Sequence, residues 1–299
     1  NLPSNTPSTP QHNAGIASQP LQAMRVANPN NSNTPQNPVS GPGALPPLGT
    51  SLQPGQPNPA ANQARPMPPM GVNGPAGSFI IAATNQVAAN RLDEAYMSVQ
   101  RAHSLEPNNA LVHKLFGQVF ARRQQVDLAN QAYLRSIQLN PDDAETHKLL
   151  GDVWFFLRKQ PNSAIPAYIQ SLRLNPKDFE AHQRLAQCYE QTNQLELALR
   201  EYQEAVRLAP KQSHTPLYFA LGQVAMRLGQ FAVAEHAFVQ VLMINPGDHH
   251  TRYLLSQAYE RQNKLEDAFR ECGYVVGPLG PGNPAVSAMY QRLRAQLGR

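Results

Sequence analysis

Nine histidines, two cysteines and a few adjacent carboxylates are the residues of this 299-residue chain whose types suit metal or acid–base chemistry. His113, His147 and His182 recur 34 and 35 residues apart. Side chains a whole structural repeat apart cannot share one ion at ligand distances of about 2 Å, so the ladder reads as structural. His249 and His250 are neighbours at a helix start and point in different directions. Cys188 and Cys272 are too few for a disulfide framework or a Cys-rich metal site, and both read as small core residues. Asp142 and Asp143 follow Pro141 and suit the start of a helix better than an acid–base pair. The chain has no phosphate-binding Gly-rich loop, no nucleophile elbow and no H-E-x-x-H zinc motif. We expect no enzyme, no cofactor and no metal.

The elements that hold these residues follow from a period of 34–36. Pro107, Pro141, Pro176, Pro210 and Pro246 mark it. An apolar and a small residue precede an aromatic within each unit: Phe116-Gly117 with Phe120, Leu150-Gly151 with Trp154, Leu185-Ala186 with Tyr189, and Leu255-Ser256 with Tyr259. The fifth unit has Leu221-Gly222, with Ala225 in place of the aromatic. Ala129, Ala164, Ala198, Ala234 and Ala268 follow, and four residues on come Tyr133, Tyr168, Tyr202, Phe238 and Cys272. Small residues let two helices approach, and each X-Pro step stops the second helix. A weaker copy with Ala82-Ala83, Ala95 and Ala102 precedes these, giving six units. The third has one extra residue, placed in its turn around Gln160-Pro161. Ser213-His214 form a short insertion before the fifth.

This pattern resembles the tetratricopeptide-repeat (TPR) family. The resemblance implies an all-α, right-handed superhelical TPR solenoid, preceded by a low-complexity Pro/Asn/Gln-rich extended tail. We expect residues 1–78 to form the non-globular tail, 79–282 the six repeats, and 283–299 a C-terminal capping helix with Asn283 as N-cap and Pro284 at its first position.

The resemblance also implies a concave groove lined by positions two, five, nine, twelve and thirteen of each repeat. On that basis the peptide-binding residues are Lys114, Lys148, Gln183, Phe219 and Tyr253 at position five, and Gln118, Asp152, Gln187, Gln223 and Gln257 at position nine. Phe155, Phe156 and Arg227 come from positions twelve and thirteen. Carboxamides both donate and accept, so they can pair with the backbone of any extended peptide. The clamp that chaperone-binding members use for an acidic C-terminus is incomplete here: Lys114 is present, but Leu149 and Glu180 stand where the clamp needs Asn and Lys.

Composition sets the wider bounds. Of the 28 prolines, 17 lie in residues 1–78, where Arg25 and Arg65 are the only charges. Such a segment cannot bury enough apolar surface to fold alone. A formal charge of +5 over the whole chain is dilute, so nucleic acid is not an expected partner. No apolar run reaches membrane-spanning length. A start at Asn1 rather than Met suggests a mature product or fragment. Apolar anchors in the tail (Leu21, Met24, Val26, Leu45 and Leu48), the apolar opening Phe79, Ile80 and Ile81, and Tyr290 and Leu293 of the last helix read as self-assembly contacts. The expected function is therefore a protein-binding scaffold, with head-to-tail assembly into an extracellular or envelope filament as one form. A monomeric adaptor or assembly factor, for the envelope or a pilus, tethered by its tail, is the alternative. The expected partners are extended peptide segments, including other copies of the chain.

Overall fold

The structure, a computed structural model, describes residues 73–279 and 283–299. Residues 1–72, with the five anchors Leu21, Met24, Val26, Leu45 and Leu48, lie outside the described residues, and the first helix begins at Gly77, inside the expected 1–78 tail, with Ala76 already buried.

Among the described residues, thirteen α-helices make an all-α array of six antiparallel pairs and a final helix. The pairs are α1 (Gly77–Ala88) with α2 (Leu92–Leu105), α3 (Ala110–Arg122) with α4 (Val126–Leu139), and α5 (Ala144–Asp152) with α6 (Pro161–Leu174). They continue with α7 (Phe179–Gln191) and α8 (Leu195–Leu208), α9 (His214–Arg227) and α10 (Phe231–Ile244), and α11 (His249–Arg261) and α12 (Leu265–Leu279). The last is α13 (Pro284–Gln296).

Local chemistry sets the helix ends. Asn109, Asp143, Asp178, Asp248 and Asn283 each cap a helix by accepting from a backbone N–H of its first turn, which satisfies donors that have no partner inside the helix. The first helix of each pair closes on a left-handed residue: Asn90, Gln124, Lys159, Asn193, Gly229 or Asn263, at φ between 55° and 72°. In five pairs the next N–H reaches back five residues, as Gln125 N does to Phe120 O at 2.9 Å. That is the Schellman closure, tight enough to turn the chain within three residues. Asn140, Asn175 and Asn245 end second helices in extended or near-extended backbone because proline follows each.

The third pair departs from this pattern and corrects the sequence expectation. Its extra residue is not in the turn at Gln160-Pro161. It is absorbed inside the first helix, where Val153–Leu157 follow α5 as a π-helical turn. Arg158 N bonds Val153 O across five residues at 3.0 Å, and the closing bond from Gln160 N reaches Trp154 O across six. The turn itself keeps the form of the others.

The core is a column of small-against-large contacts. Ala95, Ala129, Ala164, Ala198, Ala234 and Ala268 are fully buried, as are Tyr168 and Phe238. A Cβ on Gly117, Gly151 or Gly222 would stand 2.4, 2.7 or 2.5 Å from the ring of Tyr133, Tyr168 or Phe238, which is why these positions have none. In the sixth pair Ser256 stands where three of the other first helices have glycine, and Cys272 stands where four of the other second helices have an aromatic ring, both buried. Val286, Met289 and Leu293 of α13 close the array over Ala268, Cys272 and Val275.

Two proposed assembly contacts therefore need correction. Leu293 is fully buried inside its own chain, and Ile80 is 3% exposed against Val112 and Leu115. Tyr290 stacks on Phe269 at 4.9 Å, and Phe79 lies partly under the Arg101 guanidinium. Ile81 alone of this set is open, at 51%.

Candidate functional site

The first helices carry the face on which the expected groove residues lie. Its two lysines are not free. Lys114 Nζ bridges Asp143 at 3.0 Å and Glu145 at 2.9 Å, and Lys148 bridges Asp178 at 2.8 Å and Glu180 at 3.2 Å. Each lysine thus grips the N-cap and first turn of the following repeat. Burial alone would lower the pKa of each amine, but the carboxylates outweigh it and raise both. The lysine that an acidic-tail clamp would use thus already holds two carboxylates.

Position nine brings Gln118, Asp152, Gln187 and Gln223 onto this face, all half-buried. Asp152 accepts from Tyr168 Oη at 2.7 Å and stands 3.8 Å from Arg184 Nε. Burial pushes its carboxyl above the usual range despite both neighbours. The Arg184 guanidinium lies over the Phe156 ring, 4.6 Å from its centroid, and its Nη1 donates to Gln187 Oε1 at 3.3 Å. Arg227 donates to Glu190 at 3.1 Å and to Asn193 at 3.2 Å, while Tyr202 Oη donates to the other Glu190 oxygen.

Two hollows result. One of about 250 Å³ lies between the second and third repeats, walled by Tyr133, Leu149, Val153, Phe156 and Leu157. The other, of about 530 Å³, spans the third to fifth repeats and is lined by Phe156, Arg184, Gln187, Glu190, Gln223 and Arg227. Phe156 belongs to both. Its ring is 37% exposed, whereas Phe155, set edge-on to it at 4.8 Å, is 6% exposed and packs into the core.

The remaining proposed positions are distributed differently. Gln183 is half-buried beside Arg184. Phe219 is held between Phe238 at 6.3 Å and His250 at 5.9 Å. Tyr253 packs on the terminal cluster of α12 and α13. Gln257 is half-buried, and neither hollow includes it. Sequence reasoning missed Tyr133, Tyr202 and Glu190, which belong to the walls. A signal was available: a tyrosine where the fifth repeat has phenylalanine carries a hydroxyl that needs a partner.

The histidine ladder has a separate purpose. Nε2 of His113, His147 and His182 donates to the carbonyls of Pro107, Pro141 and Pro176 at 2.8, 3.0 and 3.2 Å. Arg252 does the same for Pro246 at 3.0 Å. These side chains tie each proline turn to the following helix. Cys188 and Cys272 are buried, and burial pushes their thiols up to about 12 and about 11, far from the reactive thiolate range.

Family models described as tetratricopeptide repeat match residues 155–223 and 219–284. This is a tetratricopeptide-repeat protein. Protein PHOX3 of Arabidopsis thaliana is 33% identical to it over 106 residues, which is 33% of this chain and only 13% of that protein's length. Among solved structures, PilW, described as a widely conserved type IV pilus biogenesis factor, superposes with a TM-score of 0.52 at 16% identity, covering 73% of this chain and 97% of that one. YrrB, described as a TPR protein with an unusual peptide-binding site, gives 0.51 at 19% identity over 62% of this chain and 92% of its own. At these identities the two structures establish the shared fold. Among the described residues, no helix of the TPR protein is long and apolar enough to cross a membrane.

Proposed function

We propose that this protein is a non-enzymatic adaptor that holds an extended peptide segment of a partner along the inner face of its third to fifth repeats. The observation that carries this reading is the hollow of about 530 Å³, where Gln187 and Gln223 present carboxamides between Phe156 and two guanidiniums. Carboxamides match a peptide backbone and aromatic faces match apolar side chains, so the surface grips an extended chain whatever most of its side chains are.

Of the two forms the sequence leaves open, the adaptor is better supported than the filament. Leu293 and Ile80, needed between copies for assembly, are packed inside one copy. The fold is shared with a pilus biogenesis factor and with a peptide-binding TPR protein. A place at the cell envelope, serving the assembly of a larger structure, is part of the same proposal and rests on the first of those relatives.

The test is selection from a randomised decapeptide display library on the full chain, followed by anisotropy titration of the enriched peptides. The Gln187→Ala, Gln223→Ala double variant should bind them at least tenfold more weakly while its thermal unfolding is unchanged. Failure to enrich any peptide, or peptides indifferent to both substitutions, would sink the reading. Phe219 is left intact in this test because its contacts with Phe238 and His250 would confound binding with folding.

A further inference from the structure

The three histidines of the ladder share one place in their repeats, six residues after the proline whose carbonyl they bond. The charge around that place changes from repeat to repeat. His113 of α3 stands edge-on to His103 of α2, with ring centroids 5.3 Å apart, across the junction of the first two repeats. Phe116 lies beside both rings, at 5.8 Å and 6.5 Å, and His103 Nδ1 is buried with no hydrogen-bond partner in the protein. From α4 the pair is faced by Arg135, which donates to Asn108 and Gln138. Other charges near it in sequence are engaged elsewhere. Glu106 accepts from Ala76 N and Asn109 Nδ2, Lys114 holds Asp143 and Glu145, and Arg101 lies over Phe79. No charged residue occurs in α1.

His182 in the fourth repeat has the opposite surroundings. Its Nδ1 faces Glu201 Oε2 at 2.6 Å, its Nε2 faces the Pro176 carbonyl at 3.2 Å, and Glu204, paired with Arg207, adds a second negative charge from α8. Asp178 of its own turn is held by Lys148. Both ring nitrogens of His182 thus point at acceptors, an arrangement that the doubly protonated imidazolium satisfies. Repeat register explains the contrast. Nine and six residues before the closing proline, the second repeat carries Ala132 and Arg135, the third Ala167 and Gln170, and the fourth Glu201 and Glu204. Where His103 precedes His113, Ile137 and Leu172 precede His147 and His182.

Burial holds the His113 pKa below the ordinary histidine range, and the neighbouring His103 and Arg135 lower it further. A contact that depends on neutral His113 is complete above the unfolded value of about 6.5 and weakens as the pH falls below it. For His182 burial alone would lower the pKa, but the Glu201 carboxylate outweighs burial and raises it. Its contribution is therefore complete below about 6.5 and is lost as the pH rises through the folded value.

We propose that the ladder makes the stack respond to pH in opposite senses along its length: mild acid loosens the junction of the first two repeats and tightens the helix pair of the fourth. This property does not depend on what the groove holds.

Hydrogen exchange on the full chain at pH 7.5 and 5.5, corrected for the intrinsic rate of exchange, tests it by reading each helix separately. Protection of α2 and α3 should fall at least tenfold at the lower pH, while that of α7 and α8 is kept or rises. His103→Phe keeps a ring against His113 and Phe116 but removes the neighbouring cation, and should reduce the fall in α2 and α3 to less than threefold. Glu201→Gln should cost α7 and α8 protection at pH 5.5 and leave α2 and α3 as in the parent. Titration of the imidazole C–H resonances of the parent chain gives a readout that needs no variant: His113 should titrate at a lower pH than His182. An equal loss of protection in both regions, no loss in α2 and α3, a loss unmoved by His103→Phe, or the reverse order of titration would each overturn the proposal.

Discussion

At the scale of single residues, two positions in the third repeat make opposite predictions. Gly151 faces Tyr168, whose hydroxyl is fixed on Asp152 at 2.7 Å, so the ring cannot swing aside for a methyl group. Alanine would gain about 1 kcal/mol of helix propensity and lose about 1–3 kcal/mol to overpacking. Gly151→Ala should therefore lower the melting temperature. Ala186 opposite Tyr202 shows that the fold tolerates this pairing where the tyrosine hydroxyl reaches a more distant partner, Glu190. Asp152→Asn should do the reverse. Burial raises the Asp152 carboxyl pKa in the folded chain, so folding favours the protonated form, and the ionised form costs stability once the pH exceeds the unfolded value near 4. The asparagine variant should unfold at a higher temperature than the parent at pH 7, and the difference should vanish well below pH 4. A variant less stable at pH 7 would show that the Arg184 pairing outweighs desolvation.

Elements explain what was legible in the sequence and what was not. Proline positions and the Gly/Ala and Tyr/Phe columns carry the helix pairing directly, because each is a steric requirement of one residue on its immediate neighbours. The π-helical turn is different. The sequence shows only that one extra residue lies between Trp154 and Pro161, and a turn or a helix could absorb it. The helix takes it because the closing turn must keep Lys159 left-handed, and because Arg158 still reaches Asp127 of the preceding repeat while stacking on Trp154. Judged within their own repeats, Lys114 and Lys148 read as position-five groove residues. Their partners are the first residues of the next. Deleting Phe156 should let α5 run regularly into its closing turn, as α7 does. Circular dichroism should show helix content retained, while binding of groove-selected peptides is lost. A collapse of helicity would mean that the irregular turn is required for folding rather than for recognition.

For the molecule as a whole, the end of the array is the point to test. Leu293 is fully buried in the contact that seals α12, and Leu293→Ala should remove about 2–5 kcal/mol there. Stability in such stacks is a sum of repeat and neighbour-interface terms, so this loss should appear as an early, separate unfolding step of the last repeat in calorimetry. One cooperative transition, merely shifted down, would show that coupling along the stack is stronger than a nearest-neighbour account allows.

The ionic links between repeats have a mechanical consequence. Lys114, Lys148, Arg227 and Lys264 each join one repeat to an adjacent one, to Asp143, Asp178, Glu190 and Glu235, Arg292 joins the final helix to Glu260 of the sixth pair, and most are exposed enough for salt to screen. They act as lateral tethers on a spring whose coils are the helix pairs. Under tension the array should yield repeat by repeat, in a sawtooth of similar small steps, and the step force should fall as salt concentration rises. A partner that pulls would then meet a compliant arm whose stiffness is set by the surrounding electrolyte.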